Sequence, residues 1–108
     1  MDQAELAREI ISIYRKHGWT LHHVLLRAET RADIGEEFFS GTSINEALID
    51  ALWFSRPSTR QREAWELRLL SETPYALFET FEKDEPEDAR EEVRREMEAR
   101  LLDYVMKK

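Results

Sequence analysis

Ile49-Asp50-Ala51-Leu52-Trp53-Phe54-Ser55, Glu63-Ala64-Trp65-Glu66-Leu67-Arg68-Leu69-Leu70 and Tyr75-Ala76-Leu77-Phe78-Glu79-Thr80-Phe81 are three apolar and aromatic runs of similar length, separated by turns that contain Pro57 and Pro74. Short runs of this composition, punctuated by proline, predict three strands joined as an antiparallel meander. In the second run Trp65, Leu67 and Leu69 share one face and Ala64, Glu66 and Arg68 the other, the pattern of a strand with one buried and one wetter side. In the third run aromatics fall on both faces, with Tyr75, Leu77 and Phe81 against Ala76, Phe78 and Thr80. Such a strand is expected to be central or partly covered on both sides. Trp53 and Phe54 are adjacent, so they face opposite sides of a regular strand. One of them needs cover from outside the main core, which a further helix, the C-terminal segment, a second copy of the chain or a ligand can supply.

Upstream of the meander, Asp2 and Glu5 have capping-box spacing, and Leu6, Ala7, Ile10, Ile11, Ile13 and Tyr14 recur at helical spacing before His17-Gly18, a fitting left-handed stop. Trp19 to Arg27 alternates as a partly buried strand. A helix capped by Thr20 can also be drawn through Leu21, Val24, Leu25 and Ala28; the strand is preferred because Gly18 has just ended a helix. Thr30 to Phe39 reads as a short helix with Thr30 and Asp33 at capping-box spacing, weakened by Gly35. Residues 42 to 47 fit a loop, an edge strand or a helical turn. Downstream, Pro86, Glu87 and Asp88 suit the start of a helix, along which Ala89, Val93, Met97, Leu101, Tyr104 and Val105 form a narrow apolar stripe. Glu91 with Arg95, Glu96 with Arg100 and Asp103 with Lys107 lie at ion-pairing spacing on that helix.

The order is thus α-β-α-β-β-β-α in a single domain spanning residues 1–108. The expected fold class is α+β, a two-layer sandwich with helices on one face of a mixed, mainly antiparallel sheet of four or five strands. If the strand at Trp19–Arg27 lies beside the first meander strand, the helix between them becomes a right-handed parallel crossover.

Composition limits function more than it assigns one. A chain of 108 residues with 42% hydrophobic content can bury its own core. The absence of cysteine removes disulfides, thiolate metal sites and cysteine nucleophiles, and fits a reducing compartment. The charged N-terminus has no apolar signal core and no later run is long enough to span a membrane, so a cytoplasmic protein is expected. The net charge of −7 opposes a nucleic-acid partner. That charge is uneven: residues 31–55 carry one basic and five acidic side chains, whereas residues 56–70 carry four arginines and two glutamates.

Few residues point to chemistry. With Gly only at 18, 35 and 41, neither a dinucleotide-binding loop nor a P-loop can form, and no serine sits in a nucleophile elbow. His17, His22 and His23 have no metal-ligand spacing, and neighbours in a regular strand point to opposite faces, which predicts separate environments for His22 and His23. Glu29, Asp33, Glu36 and Glu37 would form an acidic stripe on the second helix, the pattern of a solvated face. The Arg56-Pro57-Ser58-Thr59-Arg60-Gln61-Arg62 turn, with Arg68 beyond it, concentrates guanidinium groups able to clamp a carboxylate or phosphate. Arg56, Arg60, Arg62 and Arg68 are accordingly the candidate contacts to an anion or an acidic partner, and Trp53, Phe54 and Phe78 a candidate aromatic interface.

In size, charge and layout the chain resembles intracellular chaperone-like, adaptor and immunity proteins that act by binding. Two-sided aromatic strands without a catalytic constellation point the same way, to a non-enzymatic module for another protein or for a second copy of itself, with no cofactor, bound metal or membrane expected. The alternative is a small-molecule binder or small enzyme with a pocket between sheet and helices, drawing on His22 or His23, the second-helix acids and an arginine.

Overall fold

The structure, a computed structural model, describes residues 2–107. Three helices, α1 (Gln3–Lys16), α2 (Ala28–Ile34) and α3 (Glu87–Met106), accompany five strands, β1 (Thr20–Leu26), β2 (Ser43–Glu46), β3 (Ala51–Pro57), β4 (Arg62–Leu69) and β5 (Ala76–Glu82). Single 3₁₀ turns occupy Glu36–Phe39 and Thr59–Gln61. The sheet runs β2-β1-β3-β4-β5, with β1 and β2 parallel and every other pair antiparallel. This is the expected α+β sandwich on a mixed, mainly antiparallel sheet, with β3, β4 and β5 as the meander. Residues 20–26 are a strand, and residues 43–46 supply the fifth strand at one edge.

Local sequence sets the ends of α1. The Asp2 carboxylate accepts the Glu5 backbone N–H at 2.8 Å. At the other end Trp19 N–H reaches the Tyr14 carbonyl at 3.0 Å and Gly18 N–H the Arg15 carbonyl at 3.1 Å, with Gly18 at φ 85°. These paired bonds close the helix because a residue without Cβ takes the left-handed conformation they need.

Two expectations about layering are corrected. The helices cover both faces of the sheet. Leu6, Ala7, Ile10 and Ile11 of α1 pack with Val24, Leu26, Leu52 and Phe54 on one side. Met97 and Leu101 of α3 pack with Leu25, Ala51, Trp53, Trp65, Leu67 and Phe81 on the other. Consecutive apolar residues in β1 and β3 require this arrangement, since Leu52 and Trp53 cannot share a face and both are fully buried. Strand direction also differs from the expectation. β1 does lie beside β3, but antiparallel to it; the parallel crossover leads through α2 to β2 at the edge.

The second helix also differs from its reading. It starts at Ala28 and stops at Gly35, whose φ of 88° breaks the segment before the 3₁₀ turn. Glu29 and Asp33 are thereby separated from Glu37, and the side chain of Glu36 lies outside the described residues. Thr30 does not cap the helix; it is buried, and its hydroxyl donates to Asp50 at 2.8 Å. The Asp50 carboxylate also accepts from the backbone N–H of Arg27 at 2.8 Å and from its guanidinium Nε at 3.1 Å. This knot ties the end of β1 and the start of α2 to the start of β3.

Candidate functional site

The register places three cross-strand rows on the α1 side of the sheet: Leu52, Arg68 and Ala76; Phe54, Glu66 and Phe78; Arg56, Ala64 and Thr80. Tyr14 of α1 stacks on Phe54 with ring centroids 4.1 Å apart and donates its hydroxyl to Glu66. Burial and the Glu66 carboxylate push this phenol well above its usual pKa, so it remains a donor. Tyr14 reaches no further than β4, and the same face of β5 is left open. Phe78 stands there 57% exposed, edge-on to Trp19 at 6.4 Å.

The candidate contact residues separate accordingly. Trp53 and Phe54 are both fully buried. Trp53 is covered by α3, where its indole N–H donates to Glu98 at 2.9 Å, and Phe54 is covered by Tyr14. Neither is available as a surface, so Phe78 alone of the three is exposed. Arg56 lies over the Trp19 ring at 4.5 Å and donates to the His17 carbonyl at 2.7 Å. Arg68 donates to the Leu69 and Ser71 carbonyls. Arg62 pairs with Glu82 at 3.4 Å, and Arg60 sits at the tip of the turn with φ 57°. The four arginines therefore do not converge on one anion. Arg56 and Arg68 flank the open face around Phe78, while Arg60 and Arg62 line a shallow groove with Thr59 and Glu82.

A second site was hidden from strand alternation. Leu21 pairs with Phe54 and His23 with Trp53, so the ladder skips His22. This β-bulge turns both imidazoles toward the α3 side. Their Nδ1 atoms lie 2.9 Å apart, and the His22 ring meets Trp65 at 4.5 Å. They open on a cleft of about 390 Å³ lined also by Ser43 and Asn45 of β2 and by Glu91, Arg94, Arg95 and Glu98 of α3. Arg94 lies over Trp65 at 4.7 Å and pairs with Glu87, holding the Glu87 carboxyl below the usual carboxylate range. No group of three His, Asp or Glu side chains among the described residues is placed to hold a metal ion.

Burial, followed by the Arg94 charge, lowers the pKa of His22; burial, followed by the charge of His22, lowers that of His23 to about 4. The unfolded chain then binds more protons than the folded one between about pH 4 and 6.5. Stability contributed by the neutral imidazoles is complete above that window and is lost as pH falls through it. Urea midpoints measured across these pH values are expected to fall toward acid more steeply for the wild type than for the His22→Gln, His23→Gln double variant. Equal slopes would mean that the histidines are not desolvated.

Among the described residues no helix is long and apolar enough to cross a membrane. The fold and its surfaces define a small α+β sandwich with an open sheet half-face on one side and a polar cleft on the other. No protein-family model, curated protein or solved structure matches the chain significantly.

Proposed function

We propose that this chain is a non-enzymatic binding module, acting in the cytoplasm, whose recognition surface is the open half of the sheet around Phe78. The observation that carries this reading is Phe78 itself: a phenyl ring 57% exposed on a sheet whose other aromatic strand residues are mostly packed. An exposed aromatic beside arginines is a typical anchor of protein interfaces, where Trp, Tyr, Phe and Arg are enriched. The matching partner is another protein that presents an apolar side chain next to carboxylates, the latter meeting Arg56 and Arg68.

The test is affinity capture from native lysate with the wild type beside Phe78→Ser and Arg56→Ala variants, their folding confirmed by circular dichroism. A partner held by the wild type and lost by Phe78→Ser supports the reading. Capture that is indifferent to both substitutions, or none at all, removes it. Sedimentation equilibrium of the same proteins reports whether a second copy of the chain takes the face instead.

The polar cleft favours a second reading, a small-molecule binder with its pocket between sheet and helix. It rests on the juxtaposition of His22 and His23.

A further inference from the structure

The cleft between β1, β2 and α3 is rich in donors. Two imidazoles, two guanidinium groups, the Ser43 hydroxyl and the Asn45 amide meet there with only two carboxylates. One of these, Glu98, is already engaged by the Trp53 indole N–H. The other, Glu91, and also Arg95, have no ion-pair partner among the described residues. Arg94 is fixed over Trp65 and tied to Glu87, so its charge is held in place beside the imidazoles.

The two histidines form an unusual unit. With their Nδ1 atoms 2.9 Å apart, one ring must donate an Nδ1–H and the other accept it through a lone pair. That bond survives when the pair is neutral and when it carries a single proton. It breaks with two, since both Nδ1 atoms would then bear hydrogen. In the singly protonated state both outer nitrogens are N–H donors, and the pair carries one positive charge. Without the bulge at His22, alternation would send one ring to the α1 side and no such pair would exist.

We propose that this cleft binds a small oxyanion, a carboxylate or a tetrahedral phosphate or sulfate group, together with one proton that the His22–His23 pair shares. Arg95 and the outer imidazole nitrogens supply charge-assisted hydrogen bonds, and Ser43 and Asn45 supply neutral ones. In the free protein the proton is opposed by burial and by Arg94, and favoured by Glu63 of β4 and Glu87 of α3. Glu91 and Glu98 also face the cleft. A bound anion offsets the repulsion between Arg94 and the imidazolium, so ligand and proton enter together. The site is independent of Phe78, which lies on the other side of the sheet.

The test uses the whole chain and ¹⁵N imidazole spectra during titration with sodium sulfate and, separately, sodium acetate, with sodium chloride of equal ionic strength as control. Saturable shifts of His22 and His23 are expected with an oxyanion and not with chloride. As pH falls from about 6.5 to 5.5 sulfate affinity should rise by up to roughly tenfold, the slope for uptake of one proton. His23→Asn should abolish that slope, Arg95→Ala should weaken binding roughly tenfold with the slope kept, and Phe78→Ser should change neither. Tighter binding of sulfate than acetate identifies a tetrahedral anion as the natural ligand group, and the reverse order a carboxylate; either supports the site. No saturable shift beyond chloride, or a pH slope that persists in His23→Asn, overturns it. The wild-type spectra alone decide the first point even if a variant fails to fold.

Discussion

Replacing Trp53 with alanine is expected to cost about 3–5 kcal/mol, the range for removing a large buried aromatic. Trp53 has no exposed surface and meets Trp65 at 5.9 Å and His23 at 6.0 Å. It also hydrogen-bonds α3 through Glu98 at 2.9 Å, alongside the bonds from Arg90 of α3 to the Glu63 carboxylate of β4 and the Glu82 carbonyl of β5. A loss of that size is a large share of the roughly 5–15 kcal/mol that holds a small domain together. The urea midpoint should fall steeply, or the variant should be unfolded in buffer. Trp53→Phe separates packing from polar contact: it keeps most of the apolar volume and loses only the indole N–H, for about 1–2 kcal/mol. If alanine proved no worse than phenylalanine, the view that α3 seals this face of the sheet would be wrong.

The second large effect is expected at Asp50, where Asp50→Ala should destabilise by about 2–4 kcal/mol. Asp50 and Thr30 are the buried polar residues among those described, 6% and 3% exposed. Removing the carboxylate strands the Thr30 hydroxyl and the Arg27 backbone N–H, both of which donate to it at 2.8 Å. The Arg27 guanidinium is half exposed and can return to water, which keeps the penalty below that of a wholly buried ion pair. Because the three residues form one network, Asp50→Ala combined with Thr30→Val should cost clearly less than the two changes added separately. Additive costs in chemical denaturation would show that Thr30 and Asp50 do not depend on each other.

The two candidate surfaces call on different physics. Around Phe78 the sheet is open because α1 extends only as far as β4, through Tyr14 and Glu66, and among the described residues no other helix lies beside it over β5. On the opposite side α3 spans the sheet, and the gap it leaves next to the β1–β2 edge is polar. An apolar anchor flanked by arginines and a donor-lined cleft would recognise different ligands, so Phe78→Ser and His23→Asn separate the two roles.

Much of this architecture was legible locally. Asp2, Glu5 and Gly18 mark the ends of α1 because caps act within one turn. The meander follows from apolar runs and proline turns, and the adjacency of Trp53 and Phe54 already required cover on both sides of β3. The arginine-rich turn was legible as composition only. Side-chain direction along β3 and β4 sends Arg56 and Arg68 toward the α1 side, while the tip keeps Arg60 and Arg62 elsewhere. What the sequence by itself determined was thus the set of elements and the faces of the regular strands, because caps, turns and alternation depend on neighbours a few residues away. Only the tertiary structure decided that α3 takes the face opposite α1, that β1 runs antiparallel to β3, and that His22 and His23 share a side. The bulge has no local signature: whether the ladder skips a residue depends on the partner strand, and a single skipped pairing moves an imidazole across the sheet.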